Sequence, residues 1–121
     1  MRVTRLLLLA VVLAAALPVA ADGSWARLAP LPAGRAETHA AVIGSTVYLP
    51  GGLELVPGKP LASPGTLFAY DSVRGEWRKL KPLPLLLNHS AVTAFGGKLY
   101  VMGGASGWPP TPSNLQAAVF R

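Results

Sequence analysis

The residues that could carry chemistry are few in this sequence of 121 residues, and their types exclude several classes of function. The absence of cysteine excludes disulfide scaffolds, thiol nucleophiles, iron–sulfur clusters and zinc sites with cysteine ligands. Two histidines and five carboxylates leave little material for a metal site or for acid–base catalysis. No phosphate-binding loop or Ser-His-Asp triad is recognisable. We therefore expect no metal and no cofactor, and a binding protein rather than an enzyme.

The remaining candidates are charged, amide and aromatic side chains. Arg35 could recognise a carboxylate or hydroxyl group, and Glu37 lies two residues away. Trp108 could stack on a sugar or an aromatic ring, and Asn88 could add an amide. Each has a structural alternative: Arg35 and Glu37 could form a local ion pair of little energetic value, and Trp108 could cover a sheet edge.

The amino terminus has the features of a cleavable secretory signal. Arg2 and Arg5 precede 12 apolar residues at 6–17, and Pro18 and small residues then lead to Ala21. The alternative is a transmembrane anchor, but residues 6–21 fall short of the roughly 20 apolar residues that a spanning helix needs. We expect cleavage after Ala21, a secreted or periplasmic protein, and no stable membrane anchor.

The charge pattern does not indicate nucleic-acid binding. The formal net charge is +6, and loss of Arg2 and Arg5 with the signal leaves nine basic against five acidic residues. Only Arg78, Lys79 and Lys81 cluster. A nucleic-acid interface needs a coherent basic patch, so we expect no nucleic-acid partner.

The sequence after residue 21 is a tandem duplication. The pattern W-x-x-L-x-P-L-P begins at Trp25 and again at Trp77, 52 residues later. Residues 47–52 and 99–104 match at the same distance, and both end in a double glycine. Fixed periods of this size are typical of repeat architectures.

One segment matches at a different distance. His39-Ala-Ala-Val resembles His89-Ser-Ala-Val 50 residues later, which predicts a two-residue shift that is compensated in the following turn. The recurrence of His39 and His89 favours a structural role, with a ring nitrogen bonded to a backbone group. The same distance places Phe120 at the position of Tyr70.

Each repeat is predicted to form four short strands joined by Gly-containing turns. In the first repeat they are residues 39–43, 46–49, 66–70 and 76–80, and residues 25–28 form the fourth strand of a preceding unit. No helical pattern follows residue 21.

The double glycine Gly51-Gly52, the downstream Tyr70 and Trp77 seven positions later resemble the kelch motif. The leading His39-Ala-Ala-Val and the Pro-Leu-Pro after the Trp strand are similar to exported bacterial kelch repeats. The resemblance spans about residues 25–120. It implies an all-β chain of kelch-type β-propeller blades, two four-stranded blade equivalents at about 39–80 and 89–121, after a signal-peptide helix. The residues expected to pack the blades are Trp25, Gly51, Gly52, Tyr70, Trp77, Gly103 and Gly104.

Two blades do not close a propeller, which needs four to eight. The favoured interpretation is a fragment of a larger propeller. The alternative is a homo-oligomer in which residues 25–28 complete a blade of another copy.

Antiparallel order brings two sets of loops to one face: those between the second and third strands and those between the fourth strand and the next blade. Loops on a rigid scaffold commonly carry binding residues. The candidates on this face are Arg35, Glu37, Asn88, Lys59, Glu54 and Trp108.

The resemblance implies an exported module that recognises a protein or a glycan through these loops. The alternative is part of a kelch-propeller carbohydrate-active enzyme of the sugar epimerase or mutarotase type. Copper radical oxidases of this architecture need a cross-linked cysteine, which this sequence lacks.

The predicted signal sequence leads to a testable prediction about the mature amino terminus. When the chain is expressed in an export-competent bacterium, amino-terminal sequencing of the exported protein should begin at Asp22. A product that retains Met1 and fractionates with membranes would contradict it.

Overall fold

The computed structural model describes residues 23–121, so the predicted signal peptide lies outside the described residues. Strands but no helices occur between residues 23 and 121, which confirms the all-β prediction. No helix in this part of the chain is long and apolar enough to cross a membrane. The strands are β1 (Arg35–Ala36), β2 (Ala41–Ile43), β3 (Thr46–Pro50), β4 (Leu53–Glu54), β5 (Leu67–Asp71), β6 (Glu76–Leu80), β7 (Ala91–Phe95), β8 (Lys98–Met102) and β9 (Val119–Phe120).

The first blade is an antiparallel sheet with the order β2-β3-β5-β6. The observed strands agree with the predicted four to within two residues at each end. Alternating side chains point to opposite faces of a sheet, so Phe68, Tyr70 and Trp77 share one face and Leu67 lies on the other. Trp77 is half-buried, with its ring centroid 5.0 Å from that of Tyr70 and 6.4 Å from that of Phe68.

The turn between β5 and β6 follows the predicted hairpin at residues 71–75. The backbone N–H groups of Val73 and Arg74 donate to Oδ1 of Asp71, each at 3.0 Å. The hydrogen bond from Arg74, together with that from Val73, holds the pKa of the Asp71 carboxyl below its ordinary value. Gly75 closes the turn with a φ of 71°, a conformation that glycine adopts without steric cost.

The second blade contributes β7, β8 and β9, and its register corrects the predicted repeat alignment. Ala41 lies opposite Tyr48 in the first blade, and Thr93 lies opposite Tyr100 in the second. Both hairpins have two-residue loops, Gly44-Ser45 and Gly96-Gly97, so the distance of 52 residues holds throughout. The predicted two-residue shift is therefore wrong.

Two residue assignments change with this register. The equivalent of His89 is Glu37 rather than His39, because no residues are inserted between the matching strands. Phe120 lies opposite Val101 as Phe68 lies opposite Leu49, so Phe120 corresponds to Phe68 and not to Tyr70.

The predicted strand at residues 25–28 is also wrong. This segment is irregular, and Trp25 is 99% exposed instead of packed between blades. A strand needs a neighbour that supplies hydrogen bonds, and no strand of residues 23–121 pairs with it. The segment is held at its end, where the Trp77 indole N–H donates to the Ala29 carbonyl at 3.0 Å.

A short additional sheet, β1 with β4, was not predicted. Arg35 pairs with Glu54 and Ala36 with Leu53. The second blade repeats it as an isolated bridge between Asn88 and Ala105. These pairings tie the start of each blade to the loop after its second strand, and so bring the two predicted sets of loops together.

The double glycines are the points at which backbones approach most closely. The Gly51 amide donates to Thr66 and the Gly52 amide to Leu87, both at 2.8 Å. A Cβ on Gly51 would collide with the carbonyl oxygen of Leu87, at the entry to the next blade. This confirms that the double glycine allows close approach of backbones.

Replacing Gly51 by alanine should therefore destabilise the fold more than replacing Gly44, which has a similar φ but open space around it. The left-handed conformation costs alanine about 1–2 kcal/mol at either position. The collision with Leu87 should add about 1–3 kcal/mol for Gly51→Ala. Urea denaturation of both variants measures the difference. Equal losses would contradict the close approach.

Candidate functional site

Arg35 is buried beneath the loop face, and its side chain is only 1% exposed. Its Nη1 donates to Oε2 of Glu54 at 2.7 Å, across the β1–β4 pair. Its guanidinium lies 5.2 Å from the centre of the Phe68 ring, a favourable cation–π distance. Of the two roles that the sequence left open for Arg35, the ion pair is present, but with Glu54 and not with Glu37, because the strand register sets Glu54 opposite Arg35.

Glu37 and His89 occupy equivalent positions at the starts of the two blades, and they face each other. Both have left-handed backbone conformations, with φ of 51° and 57°. The His89 backbone N–H donates to the Glu37 carbonyl at 2.9 Å, and Nε2 of His89 lies 3.1 Å from Oε2 of Glu37. Such conformations are uncommon outside glycine and concentrate at functional sites.

Trp108 covers one side of this pair. Its ring stacks on that of His89, with centroids 5.8 Å apart and planes 8° from parallel. Trp108 remains 47% exposed. The loop between β8 and β9 therefore places the Trp108 indole against His89, whose ring also contacts the Glu37 carboxylate.

Asn88 is buried next to this arrangement and contacts both His89 and Gly107, the residue before Trp108. It is 1% exposed, and its amide N–H groups donate to Ser63 Oγ at 2.6 Å and to the Gly107 carbonyl at 2.9 Å. Its Oδ1 is therefore free to accept from Nδ1 of His89, 2.5 Å away. With Glu37 at the other nitrogen, both ring nitrogens of His89 face hydrogen-bonding oxygen atoms.

The structure separates the predicted site residues into two groups. Glu37 and Trp108 are exposed on the loop face, whereas Arg35 and Asn88 are buried and engaged with other parts of the chain. Lys59 lies exposed in the loop between β4 and β5. We name the exposed group, which is Glu37, His89 and Trp108, the loop-face cluster.

His89 was missed as a site residue because it was aligned with His39. His39 has the predicted structural role, with Nδ1 2.9 Å from the Ser90 carbonyl oxygen. The constant distance of 52 residues was the signal that could have matched His89 with Glu37.

Within residues 23–121, no group of three or more imidazole and carboxylate side chains is placed to hold an ion. The cluster instead offers one carboxylate, one imidazole and one indole face, which suits a polar or cationic ligand group next to a flat apolar one.

Comparison with models of protein families found no match. Among curated proteins, the chain is 34% identical over 70 residues to Kelch-like protein terF of Aspergillus terreus, which covers 58% of this chain and 15% of that protein. It is 33% identical over 89 residues to Kelch-like protein 13 of Homo sapiens, covering 72% of this chain and 14% of the relative. It is 32% identical over 85 residues to Beta-scruin of Limulus polyphemus, covering 70% and 9%.

These similarities agree with the strand order. The chain spans 15% or less of the length of each of these three relatives. The four-stranded meander and the partial second copy are blades of the kelch type. The chain is therefore similar to kelch-like proteins in sequence and has the strand order of kelch-type blades.

The buried Arg35–Glu54 ion pair leads to a prediction about stability. Glu54→Ala should lower the free energy of unfolding by about 3 kcal/mol, because it leaves the buried Arg35 guanidinium without its partner. The double variant Arg35→Met with Glu54→Leu should lose less, because both charges leave together. Chemical denaturation measures both.

Arg74→Ala provides the control, because Arg74 lies 3.9 Å from Asp71 in a pair that is largely exposed. It should leave stability nearly unchanged. A Glu54→Ala variant as stable as Arg74→Ala would show that Arg35 is not held by Glu54.

Proposed function

We propose that this chain forms part of an exported kelch-type module that binds a protein partner through the loop-face cluster. The observation that carries the proposal is the convergence of Glu37, His89 and Trp108 from the starts of two blades and one loop. The similarity to kelch-like proteins supports an interaction role. Export rests on the sequence of residues 1–21.

The cluster has the chemistry of an interaction hot spot. Tryptophan is enriched at the centres of protein interfaces, because it buries a large rigid surface at a small entropic cost. Trp108 is held by its contact with His89, so little order is lost on binding. The adjacent Glu37 carboxylate favours a partner that presents an arginine or lysine, which can pair with Glu37 and lie over the indole.

A glycan is the weaker alternative at the same surface. A sugar could stack on Trp108, but its hydroxyl groups also need free donors and acceptors around the ring. The amide N–H groups of Asn88 are used by Ser63 and Gly107, and the side chain of Arg35 is buried, so neither group is exposed to a sugar on this surface.

Catalysis on a small sugar is the second candidate, and one observation favours it. The Glu37 carboxylate and the His89 imidazole are 3.1 Å apart, within reach for a shared proton. A carboxylate–imidazole pair can supply general acid–base catalysis, which epimerisation and anomerisation require.

The test compares partner capture by the wild-type chain with capture by Trp108→Ala and Glu37→Gln. Phe95→Ala is the matched control, because Phe95 is 77% exposed in the β7–β8 hairpin, away from the cluster. Proteins from the exported fraction of the source organism are cross-linked to the immobilised chain and quantified by mass spectrometry. Partners retained by wild type and Phe95→Ala should fall at least about tenfold with the cluster variants.

Two parallel assays separate the alternatives. Binding to a glycan array that is lost in Trp108→Ala, with no captured protein, would indicate a glycan ligand instead. Sugar anomerisation or epimerisation by proton NMR that is present in wild type and absent in Glu37→Gln would overturn the binding function.

A further inference from the structure

Strand β6 is the last strand in the sheet of the first blade, so one of its edges pairs with β5 and the other has no neighbouring strand among residues 23–121. The backbone N–H and C=O groups that point away from β5 have no hydrogen-bond partner in this part of the chain. An unpaired strand edge is a template on which another extended segment can form β-sheet hydrogen bonds. This edge contains none of the residues of the loop-face cluster.

Three cations lie on or next to this edge. Arg78, Lys79 and Lys81 are exposed, and none of them forms an ion pair within residues 23–121. Asp71 and Glu76 share a sheet face with Arg78, but neither carboxylate is within ion-pair distance of it. The edge therefore carries more positive than negative charge, and its positive charges are unpaired in the described part of the chain.

The cations are divided between the two faces of the strand. Successive side chains of a strand point to opposite faces, so Arg78 lies on the face of Ala69 and Lys79 lies on the face of Phe68. A segment that binds in the plane of the sheet can contact both cations, whereas a ligand that lies flat on one face contacts only one of them. This arrangement favours an added strand over a nucleic-acid backbone or a lipid surface.

The same charges disfavour a second copy of β6 as the added strand. Cross-strand pairs of opposite charge stabilise a sheet, whereas like charges that lie directly opposite each other destabilise it. Two β6 edges would bring Arg78 and Lys79 of one copy close to the same two residues of the other. An acidic segment would instead pair with them.

We propose that an extended acidic segment of another protein adds to the free edge of β6. Its main chain pairs with the outward N–H and C=O groups, and its carboxylates pair with Arg78 and Lys79 on the two faces and with Lys81 after the strand. Pro82 has no N–H group, so the pairing ends there. Glu76, at the other end, favours one basic residue in the partner.

This interaction goes beyond the proposed function, because it uses a different surface and a partner of opposite charge. In strand addition, main-chain hydrogen bonds supply the affinity and alternate side chains supply the specificity. The charge order along β6 therefore defines the partner sequence: a basic residue opposite Glu76, and acidic residues opposite Arg78, Lys79 and Lys81.

Fluorescence anisotropy with two labelled hexapeptides tests the proposal on the 121-residue chain. Glu-Val-Glu-Glu-Thr-Lys matches β6 in the antiparallel orientation, and Lys-Thr-Glu-Glu-Val-Glu matches it in the parallel one. At least one peptide should bind, and added salt should weaken its binding because the charges are exposed to solvent. A chain that binds neither peptide up to the limit of their solubility would overturn the proposal.

Charge reversal identifies the surface that binds the peptide. The double variant Arg78→Glu with Lys79→Glu should lower the affinity at least about tenfold, because two favourable cross-strand pairs become like-charge pairs. Lys59→Glu with Lys98→Glu is the matched control, since both lysines are exposed, lie outside β6 and give the same change in net charge. It should bind nearly as the wild type does. Equal losses in the two double variants would show general electrostatic attraction and contradict binding at β6.

A peptide with exchanged charges, Lys-Val-Lys-Lys-Thr-Glu, distinguishes lost pairing from lost folding. It should bind Arg78→Glu with Lys79→Glu more tightly than it binds the wild type, because the complementary charges are restored. A double variant that keeps the wild-type circular dichroism spectrum and shows no such preference would count against the pairing.

Methylation of the peptide backbone tests strand addition with the wild-type chain alone. Alternate residues of a strand direct their N–H groups to the same side, so methylating one alternate set removes the donors that face β6 and methylating the other set removes donors that face solvent. Only one of the two methylated peptides should lose its binding. Equal binding by both would overturn strand addition. An oligothymidine that displaces the peptide and loses affinity in Arg78→Glu with Lys79→Glu would identify a nucleic acid as the occupant instead.

Discussion

The close approach of backbones at the double glycines is the constraint on which the rest of the structure depends. Gly51 and Gly52 end the second strand of the first blade, and their amides bind two different segments. Gly51 donates to the start of the third strand, whereas Gly52 donates to Leu87 at the entry to the next blade. One dipeptide therefore sets both the spacing within a blade and the spacing between blades. A side chain at either position would separate them.

The loop-face cluster is a consequence of that spacing. Gly52 and Gly104 lie directly against the segments that precede β2 and β7, and these segments carry Glu37 and His89. Because equivalent positions of adjacent blades are brought close together, a carboxylate from one repeat meets an imidazole from the next. The duplication thus produces a site in which each of the two repeats contributes a different chemical group from the same position of the repeat. Both residues also share a left-handed backbone conformation.

The buried Arg35 links β1 to β4. Its guanidinium has one ion pair, with Glu54, and one aromatic contact, with Phe68, while its Nε and Nη2 atoms have no hydrogen-bond partner in the described part of the chain. Burial of a charge is costly, so the pair adds less to stability than its short distance implies.

The sequence by itself determined the all-β architecture. The spacing of the repeated Trp, double-glycine and Tyr residues marks where strands end and turns begin, and both are local features of the chain. It also located the face on which Glu37 and Trp108 lie, since antiparallel strand order settles which loops are neighbours. Only the tertiary structure determined which side chains contact each other. The pairing of Arg35 with Glu54, the stacking of His89 on Trp108 and the exposure of Trp25 depend on strand register and on contacts between distant segments. Local patterns do not encode these contacts: a two-residue error in alignment paired His89 with His39 and hid its contact with Glu37.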